Sequence, residues 1–375
     1  MKTFTYQLPS SLSFDNYAEV EQDILAKLEH ETFDAIVLDA GNTKYISSAG
    51  LRVVLALKKK YGEVSVINAS TEVYDIFEMT GFTNLLTVDK AFREVSIEGC
   101  KCIGKGAHGT VYSLAPDTIV KVYRDDTSLA EIREEREVSK KAFVLGLPTA
   151  IALDIVKVGN QYGTIFELLN SRSCVNYISE SKDNMDDYIE KASTLLRKIH
   201  QVPLEDGSLP DMKEKTLGYV DKIKDVIDED TYNRLKEFIK AIPDVKRLLH
   251  GDYHLKNQLM VKNGDLMLID MDTLCVGHPL FEMGQICNAY FEYGFIEPSI
   301  SVNFLDLPIE KSTYLWQNIS RKYYAELDDE AYFKEINKAR LIGAIRAVHF
   351  LRKHGYGQPL VEKCIDDIHN LLSTL

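Results

Sequence analysis

Leu249-His250-Gly251-Asp252-Tyr253-His254-Leu255-Lys256-Asn257, followed by LMVKNGDLMLIDMDT at 259–273, is the stretch that decides how this chain is read. It gathers a carboxylate, two imidazoles and a carboxamide on one short segment, then runs through alternating apolar residues to Asp270. Lys262-Asn263-Gly264-Asp265 has the chemistry of a hairpin turn, since Asn and Gly tolerate the backbone such a turn demands. Asp265 therefore reads as structural. Asp252, Asn257 and Asp270, the last at the end of the strand LMLID, remain as candidates for chemistry, with Asp272 behind them.

Toward the N-terminus, CIGKGAHGTVYSLAPDTIVKVYR at 102–124 reads as strand, glycine turn, strand, turn at Ala115-Pro116-Asp117, and strand. Gly104, Gly106 and Gly109, with Val111, fit G-x-G-x-x-G-x-V. Glycines in this pattern also serve hairpins and dinucleotide loops. A dinucleotide loop needs a helix directly after the glycines, but TVYSLAP and TIVKVYR alternate as strands, so the reading is a phosphate-covering loop. Lys121, amid the β-branched residues of Thr118-Ile119-Val120-Lys121-Val122, suits a strand-borne lysine that pairs with phosphates. Such a lysine needs a carboxylate, and the helix beginning near Ser128 offers Glu131, Glu134, Glu135 and Glu137.

His250-Gly251-Asp252-x-His254-x-x-Asn257, then Ile269-Asp270, resembles the H-G-D-x-H-x-x-N and I-D pattern of aminoglycoside phosphotransferases and their protein-kinase-like relatives. The resemblance spans 98 to about 290 and implies an ATP-dependent kinase with a bilobal fold, a β-rich N-lobe at about 98–170 and a helical C-lobe at about 171–375. It implies Asp252 as acceptor-orienting catalytic base and Asn257 and Asp270 as Mg²⁺ ligands, with Asp272 the less favoured ligand. Matching REVSKKAFVLGLP at 136–148 to the corresponding helix selects Glu137 as the partner of Lys121. YGTIFELLN at 162–170 resembles the hinge between lobes, where backbone from Glu167 to Leu169 would meet adenine. Relatives commonly read G-D-P-x-x-D where this chain has Gly277-His278-Pro279-Leu280-Phe281-Glu282, so the carboxylate bracing the catalytic loop is one methylene longer and its bracing geometry is open. His254 replaces the lysine of protein kinases, and neither D-F-G nor A-P-E occurs, which favours a small-molecule hydroxyl or amine acceptor over a protein.

Residues 1–97 read as alternating elements: strand Thr3–Leu8, helix Phe14–His30, strand Ala35–Ala40, a helix from Ser48, strand VSVIN, a helix from Thr71, and a short strand near Leu85. This predicts an α/β sandwich. Ser47 or Ser48 and Ser70 are candidate N-caps, and Gly62 and Gly81 sit where the helices should stop. VLDAGNTKYISSAGLRVVLALKKK at 37–60, with VSVINASTEVYDIFEMTGFTNLLTV at 64–88, resembles the STAS domain of bacterial anti-sigma-factor antagonists. In that family a serine at the start of the second helix is phosphorylated and switches binding to an anti-sigma-factor-like partner, and the match places that serine at Ser48. The expected architecture is thus multidomain, α/β and α+β: a STAS-type sandwich at 1–97 and a kinase-like phosphotransferase at 98–375.

The bulk numbers agree with this division. A chain of 375 residues exceeds what one core usually organises. A net charge of −13 repels nucleic acid and anionic lipid. Six cysteines without a signal-peptide hydrophobic region do not read as a disulfide framework, and Cys100 and Cys102 lack further ligands for zinc. No stretch approaches the about 18 apolar residues of a membrane helix, so the expectation is a cytoplasmic protein. Among residues after Asp183, Glu292, Asp328 and Asp329 are acidic groups that could attract a cationic acceptor. A partner-switching regulator with a protein-kinase or pseudokinase domain and Ser48 as phosphosite is the alternative reading.

Overall fold

The computed structural model describes residues 2–29, 33–106 and 108–375. The chain divides into two compact units: Met1–Gly99 with Val122–Asp125 and Ile155–Gly163, and Cys100–Lys121 with Asp126–Asp154 and Thr164–Leu375.

In the first unit the order is β1 (Thr3–Gln7), β2 (Ser11–Leu12), α1 (Tyr17–Leu28), β3 (Ala35–Asp39), β4 (Tyr45–Ile46), α2 (Ser48–Tyr61), β5 (Val64–Ala69), α3 (Thr71–Met79), β6 (Thr87–Lys90) and β7 (Arg93–Glu94). The sheet β1-β3-β5-β6 is wholly parallel, as short strands separated by helices require. Alternate residues Ile36 and Leu38 of β3 and Val64 and Val66 of β5 are buried with Ile24, Val54, Leu57, Val73 and Phe77 from the helices. The first helix begins at Tyr17, three residues after the expected Phe14, and His30 lies outside the described residues. The strand expected near Leu85 starts at Thr87, because Gly81 takes a left-handed conformation and Phe82–Asn84 form a 3₁₀ turn. β7 pairs in parallel with Val156 and Lys157 of the same unit.

Ser47 is the cap of α2: its hydroxyl accepts from the N–H groups of Ala49 (3.2 Å) and Gly50 (3.4 Å). Ser48 is the first helical residue and is exposed. Gly50 is required where it stands, since a Cβ there would lie 2.5 Å from the Leu12 carbonyl oxygen.

From Cys100 the chain continues with β8 (Cys102–Lys105), β9 (Gly109–Ala115), β10 (Thr118–Tyr123), α4 (Leu129–Val144), β11 (Ala152–Val158) and β12 (Gln161–Glu167), with sheet neighbours in the order β11-β12-β10-β9-β8. There follow β13 (Ser171–Ser173), α5 (Cys174–Glu180), α6 (Lys182–Gln201), α7 (Met212–Lys222), α8 (Glu229–Ala241), β14 (Arg247–Leu249), β15 (Gln258–Val261), β16 (Leu266–Leu268) and β17 (Cys275–Gly277). The helical end comprises α9 (Pro279–Cys287), a π-helical stretch Asn288–Glu292, α10 (Tyr293–Ile296), α11 (Pro298–Leu305), α12 (Ile309–Tyr323), α13 (Asp329–Lys353) and α14 (Gln358–Thr374). Two small antiparallel ladders, β13-β15-β16 and β14-β17, frame the segment 250–257. The β15–β16 connection is the expected hairpin, with Gly264 at φ +91° and Asp265 hydrogen-bonded to Asn263. Among the described residues no helix is long and apolar enough to cross a membrane.

The helical core contains one charged knot. Arg340 donates to Glu292 (2.9 Å) and to both oxygens of Asp367 (2.9 Å each), and Glu292 is buried. Glu292 is thus committed internally and is not the acceptor-attracting group that the sequence left possible. Asp328 caps α13 through the Ala331 N–H, and Asp329 pairs with Arg321, so neither is free for an acceptor. Burial pushes the Glu292 carboxyl up to about 7, against the opposing pull of Arg340.

Two outcomes are expected. Ser47→Ala should lower stability by about 1 kcal/mol, and Ser48→Ala by a few tenths at most, in the denaturant midpoint of the full chain. Glu292 binds its proton more tightly folded than unfolded, so its contribution to stability is complete below about 4.5 and is lost as pH rises through about 7. Glu292→Gln should therefore flatten the decline in thermal midpoint across that window.

Candidate functional site

The segment 250–257 is held by backbone chemistry before any side chain acts. Gly251 has φ +83°, and a Cβ there would lie 2.1 Å from the Thr273 carbonyl oxygen, so no other residue fits. The Gly251 N–H donates to Glu282 Oε1 (2.6 Å) and the His250 N–H to Glu282 Oε2 (3.1 Å). His200 Nε2 lies 2.8 Å from the same Oε2, and Thr273 Oγ1 donates to the His250 carbonyl (2.8 Å). Glu282 has no solvent exposure. The extra methylene that left the bracing open in sequence is accommodated: the longer carboxylate reaches both loop amides.

Buried tyrosines hold the other side. Tyr290 Oη accepts from the Leu255 N–H (2.8 Å) and lies 3.1 Å from Tyr188 Oη, which donates to Gln258 (2.8 Å). Tyr253 Oη donates to the Ala192 carbonyl (2.7 Å). Paired buried polar groups of this kind fix one loop conformation, because any other arrangement strands donors away from water.

Asp252 projects from this frame with its side chain about 30% exposed. Asn257 Nδ2 donates to its carbonyl (3.0 Å) and to Oδ2 (3.1 Å), and His254 Nε2 stands 3.1 Å from Oδ2. Arg346 of α13 is 3.7 Å from Oδ1. Burial alone would raise the Asp252 carboxyl, but His254 and Arg346 outweigh it and hold the group well below the usual carboxylate range. Arg346 was not foreseen. It lies 94 positions after Asp252, in a helix whose sequence reads as ordinary core spacing.

Lys121 lies on β10 between buried Val120 and Val122, its ammonium 2.7 Å from Glu135 and 3.1 Å from Asp270. The carboxylate facing Lys121 is Glu135, not Glu137 as expected. Glu137 is 64% exposed and pairs with Arg136 and Lys140. The reason is helical phase: Ile132, Ser139 and Ala142 form the buried stripe of α4, and Glu135 lies on that stripe while Glu137 is turned about 200° from it. Glu131 closes a capping box with Ser128. The period of the apolar positions was the available signal.

Asp270 takes a left-handed conformation at φ +61°, which turns its carboxylate back toward Lys121. Asp272 is pushed up to about 6, by burial first and then by the negative charge of Asp270 and Glu135. Gly104 pairs with Val111 in the β8–β9 ladder, and Gly106 N–H donates to the Gly109 carbonyl (2.9 Å). A Cβ on Gly104 or Gly106 would meet nothing closer than 3.8 Å, so local packing does not demand glycine at either. At the end of β12 the Glu167 N–H donates to Ile151 O (3.1 Å) and the Leu168 N–H to Asp117 O (2.8 Å). The Glu167 carbonyl and Leu169 N–H are the neighbouring backbone groups. Cys100 and Cys102 are free thiols, and among the described residues no cluster of three or more His, Cys, Asp or Glu side chains is placed to hold a metal.

The geometry can be set beside known proteins. Residues 2–95 match the STAS domain model, and residues 99–298, more than half of the chain, match the model of the phosphotransferase enzyme family. The protein BtrV of Bordetella bronchiseptica, named as an anti-sigma factor antagonist, is 35% identical over 77 residues, which span 20% of this chain and 66% of that relative. Among solved structures, a GDP complex of aminoglycoside 2'-phosphotransferase-IIIa is similar at TM-score 0.47 and 12% identity, covering 80% of this chain and 97% of that one. The ternary complex of aminoglycoside phosphotransferase APH(4)-Ia with ADP and hygromycin B is similar at TM-score 0.48 and 12% identity, covering 74% and 94% respectively. The chain belongs to the phosphotransferase enzyme family and carries a STAS domain at its N-terminal end.

Proposed function

We propose that the domain from residue 98 onward transfers the γ-phosphoryl group of ATP to a hydroxyl or amine of a small molecule, and that the STAS domain at 1–97 binds a regulatory protein partner. The observation that carries this reading is the convergence of Lys121, Glu135 and Asp270 in one ion-paired set, with Asn257 tied to Asp252. These are the parts phosphoryl transfer needs, because its catalysis rests on positioning and charge neutralisation.

In this reading the strands carrying Gly104, Gly106 and Gly109 cover the phosphates, and the missing Cβ atoms leave room for phosphate oxygens. Lys121, oriented by Glu135, pairs with ATP phosphate, and the Glu167 carbonyl and Leu169 N–H meet adenine. Asp252 accepts a hydrogen bond from the acceptor and takes its proton as the acceptor–phosphorus bond forms and ADP departs. A carboxylate held so far toward its ionised form is a weak base, so its larger contribution is orientation.

Asn257 and Asp270 fit Mg²⁺. The amide nitrogen of Asn257 is spent on Asp252, which turns its oxygen the other way, and Asp270 supplies a carboxylate; both are the hard oxygen donors that Mg²⁺ takes. When bound, Mg²⁺ would neutralise charge on the β- and γ-phosphates.

Ser48 is the proposed phosphosite of the STAS domain. It is exposed at the start of α2 and is not consumed as a cap, and an added phosphate there would change the charge of any docking surface. An anti-sigma-factor-like protein is the proposed partner, supported by the likeness to BtrV. Use of ATP places the protein in the cytoplasm in this reading.

Full-length protein incubated with Mg²⁺, γ-labelled ATP and a pooled library of hydroxyl- and amine-bearing metabolites should place label on a small molecule. Asp252→Asn should reduce that transfer by on the order of a hundredfold or more with the fold retained by circular dichroism; wild-type transfer in this variant would overturn the mechanism. Glu135→Ala should lower kcat/KM for ATP by about tenfold or more, and Glu137→Ala by less than about twofold; the reverse ranking would return the ion-pair role to Glu137.

A further inference from the structure

On the side of Asp252 that α13 faces, the charge has the opposite sign to the chain as a whole. Although the protein carries −13, α13 has no acidic residue from Ile336 to Lys353. Over that span it presents Arg346 beside Asp252, then His349, whose ring stacks on Tyr219 of α7 at 5.1 Å. Lys222 lies over the same Tyr219 ring at 5.8 Å, and Lys215 stands one turn earlier on α7, on the same side as Tyr219. Lys222, Lys353, Arg352 and Arg346 all disfavour the charged form of His349, and Lys215 and Arg346 both act on the Cys275 thiol behind the catalytic loop.

The acids nearby are engaged elsewhere. Asp225 holds Arg352 (2.7 and 2.5 Å), Asp221 holds Lys236 and Tyr232 (2.7 Å each), and Asp211 holds Lys246. Arg346 stands beside Asp252, Lys222 is joined to α13 through the Tyr219–His349 stack, and the side chains of Arg346, Lys215 and Lys222 are partly or fully exposed. His254, Phe304, Tyr293 and Phe350 pack edge-on or tilted into one another beside Asp252, a wall without acidic groups.

We propose that the acceptor is an anion: a hydroxyl- or amine-bearing compound with a phosphate or carboxylate group, which Arg346, Lys215 and Lys222 recognise while the reacting group faces Asp252. A guanidinium beside the catalytic carboxylate offers charge-assisted hydrogen bonds to such a group and repels an ammonium. A polycationic acceptor would bring its amines against the cations Arg346, Lys215 and Lys222. This inference rests on the phosphotransferase reading above.

The test uses full-length protein, Mg²⁺ and γ-labelled ATP with three metabolite pools sorted by charge at neutral pH: phosphorylated or carboxylated, neutral, and cationic. Label should enter the anionic pool, and for the acceptor identified there Lys215→Met and Lys222→Met should each raise acceptor KM about fivefold or more while leaving KM for ATP unchanged. Label entering only the neutral or cationic pool would overturn the anionic acceptor and leave the phosphotransferase standing. Transfer to an anion with KM unmoved in both variants would overturn the site assigned to it. Label on no small molecule would remove the phosphotransferase reading and this one with it.

Discussion

The carboxylate of Glu282, without solvent exposure, accepts the N–H groups of His250 and Gly251 and meets the ring of His200. A buried carboxylate is costly unless it is paired, and here the donors that satisfy it are the backbone amides of the segment carrying Asp252. The cost thereby becomes a constraint: moving the loop would strand the charge. The left-handed turn at Gly251, closed against the Thr273 carbonyl, follows from the same arrangement. Asp252 and Asn257 can meet at about hydrogen-bond distance because the backbone beneath them has one conformation.

Lys121 is placed differently. Its strand belongs to a sheet, its partner Glu135 to a helix, and Asp270 to the turn after β16. Three independent elements must therefore be correctly packed before the ammonium finds both carboxylates. Asp270 meets this requirement with a left-handed backbone, which Asp tolerates better than most residues.

Charge is distributed unevenly for a physical reason. The acidic excess of the chain sits on exposed faces and at helix starts, as with Asp228, Asp328 and the capping box of Glu131. α13 instead contributes a half-buried arginine at Arg340, tied to Glu292, and a cation at Arg346 beside Asp252. Net charge sums over the whole surface and says nothing about the charge of one local face.

What the sequence by itself determined were features written in contiguous residues. The glycine turn between two alternating strands, the lysine in a β-branched run, the 250–257 segment, the Asn-Gly hairpin and the α/β alternation of the first 97 residues each carry their physical cause within a few positions. Helix and strand ends moved by a few residues where competing local turns intervened, as at Phe82–Asn84. Tertiary structure decided which of several equivalent groups faces inward. Glu135 rather than Glu137 meets Lys121, Ser47 rather than Ser48 caps α2, Glu292 is taken by Arg340, and Arg346 reaches Asp252 from a distant helix. In each case residues of the same chemical type were available, and only the phase of a helix against its neighbour, set by packing of apolar side chains, chose among them.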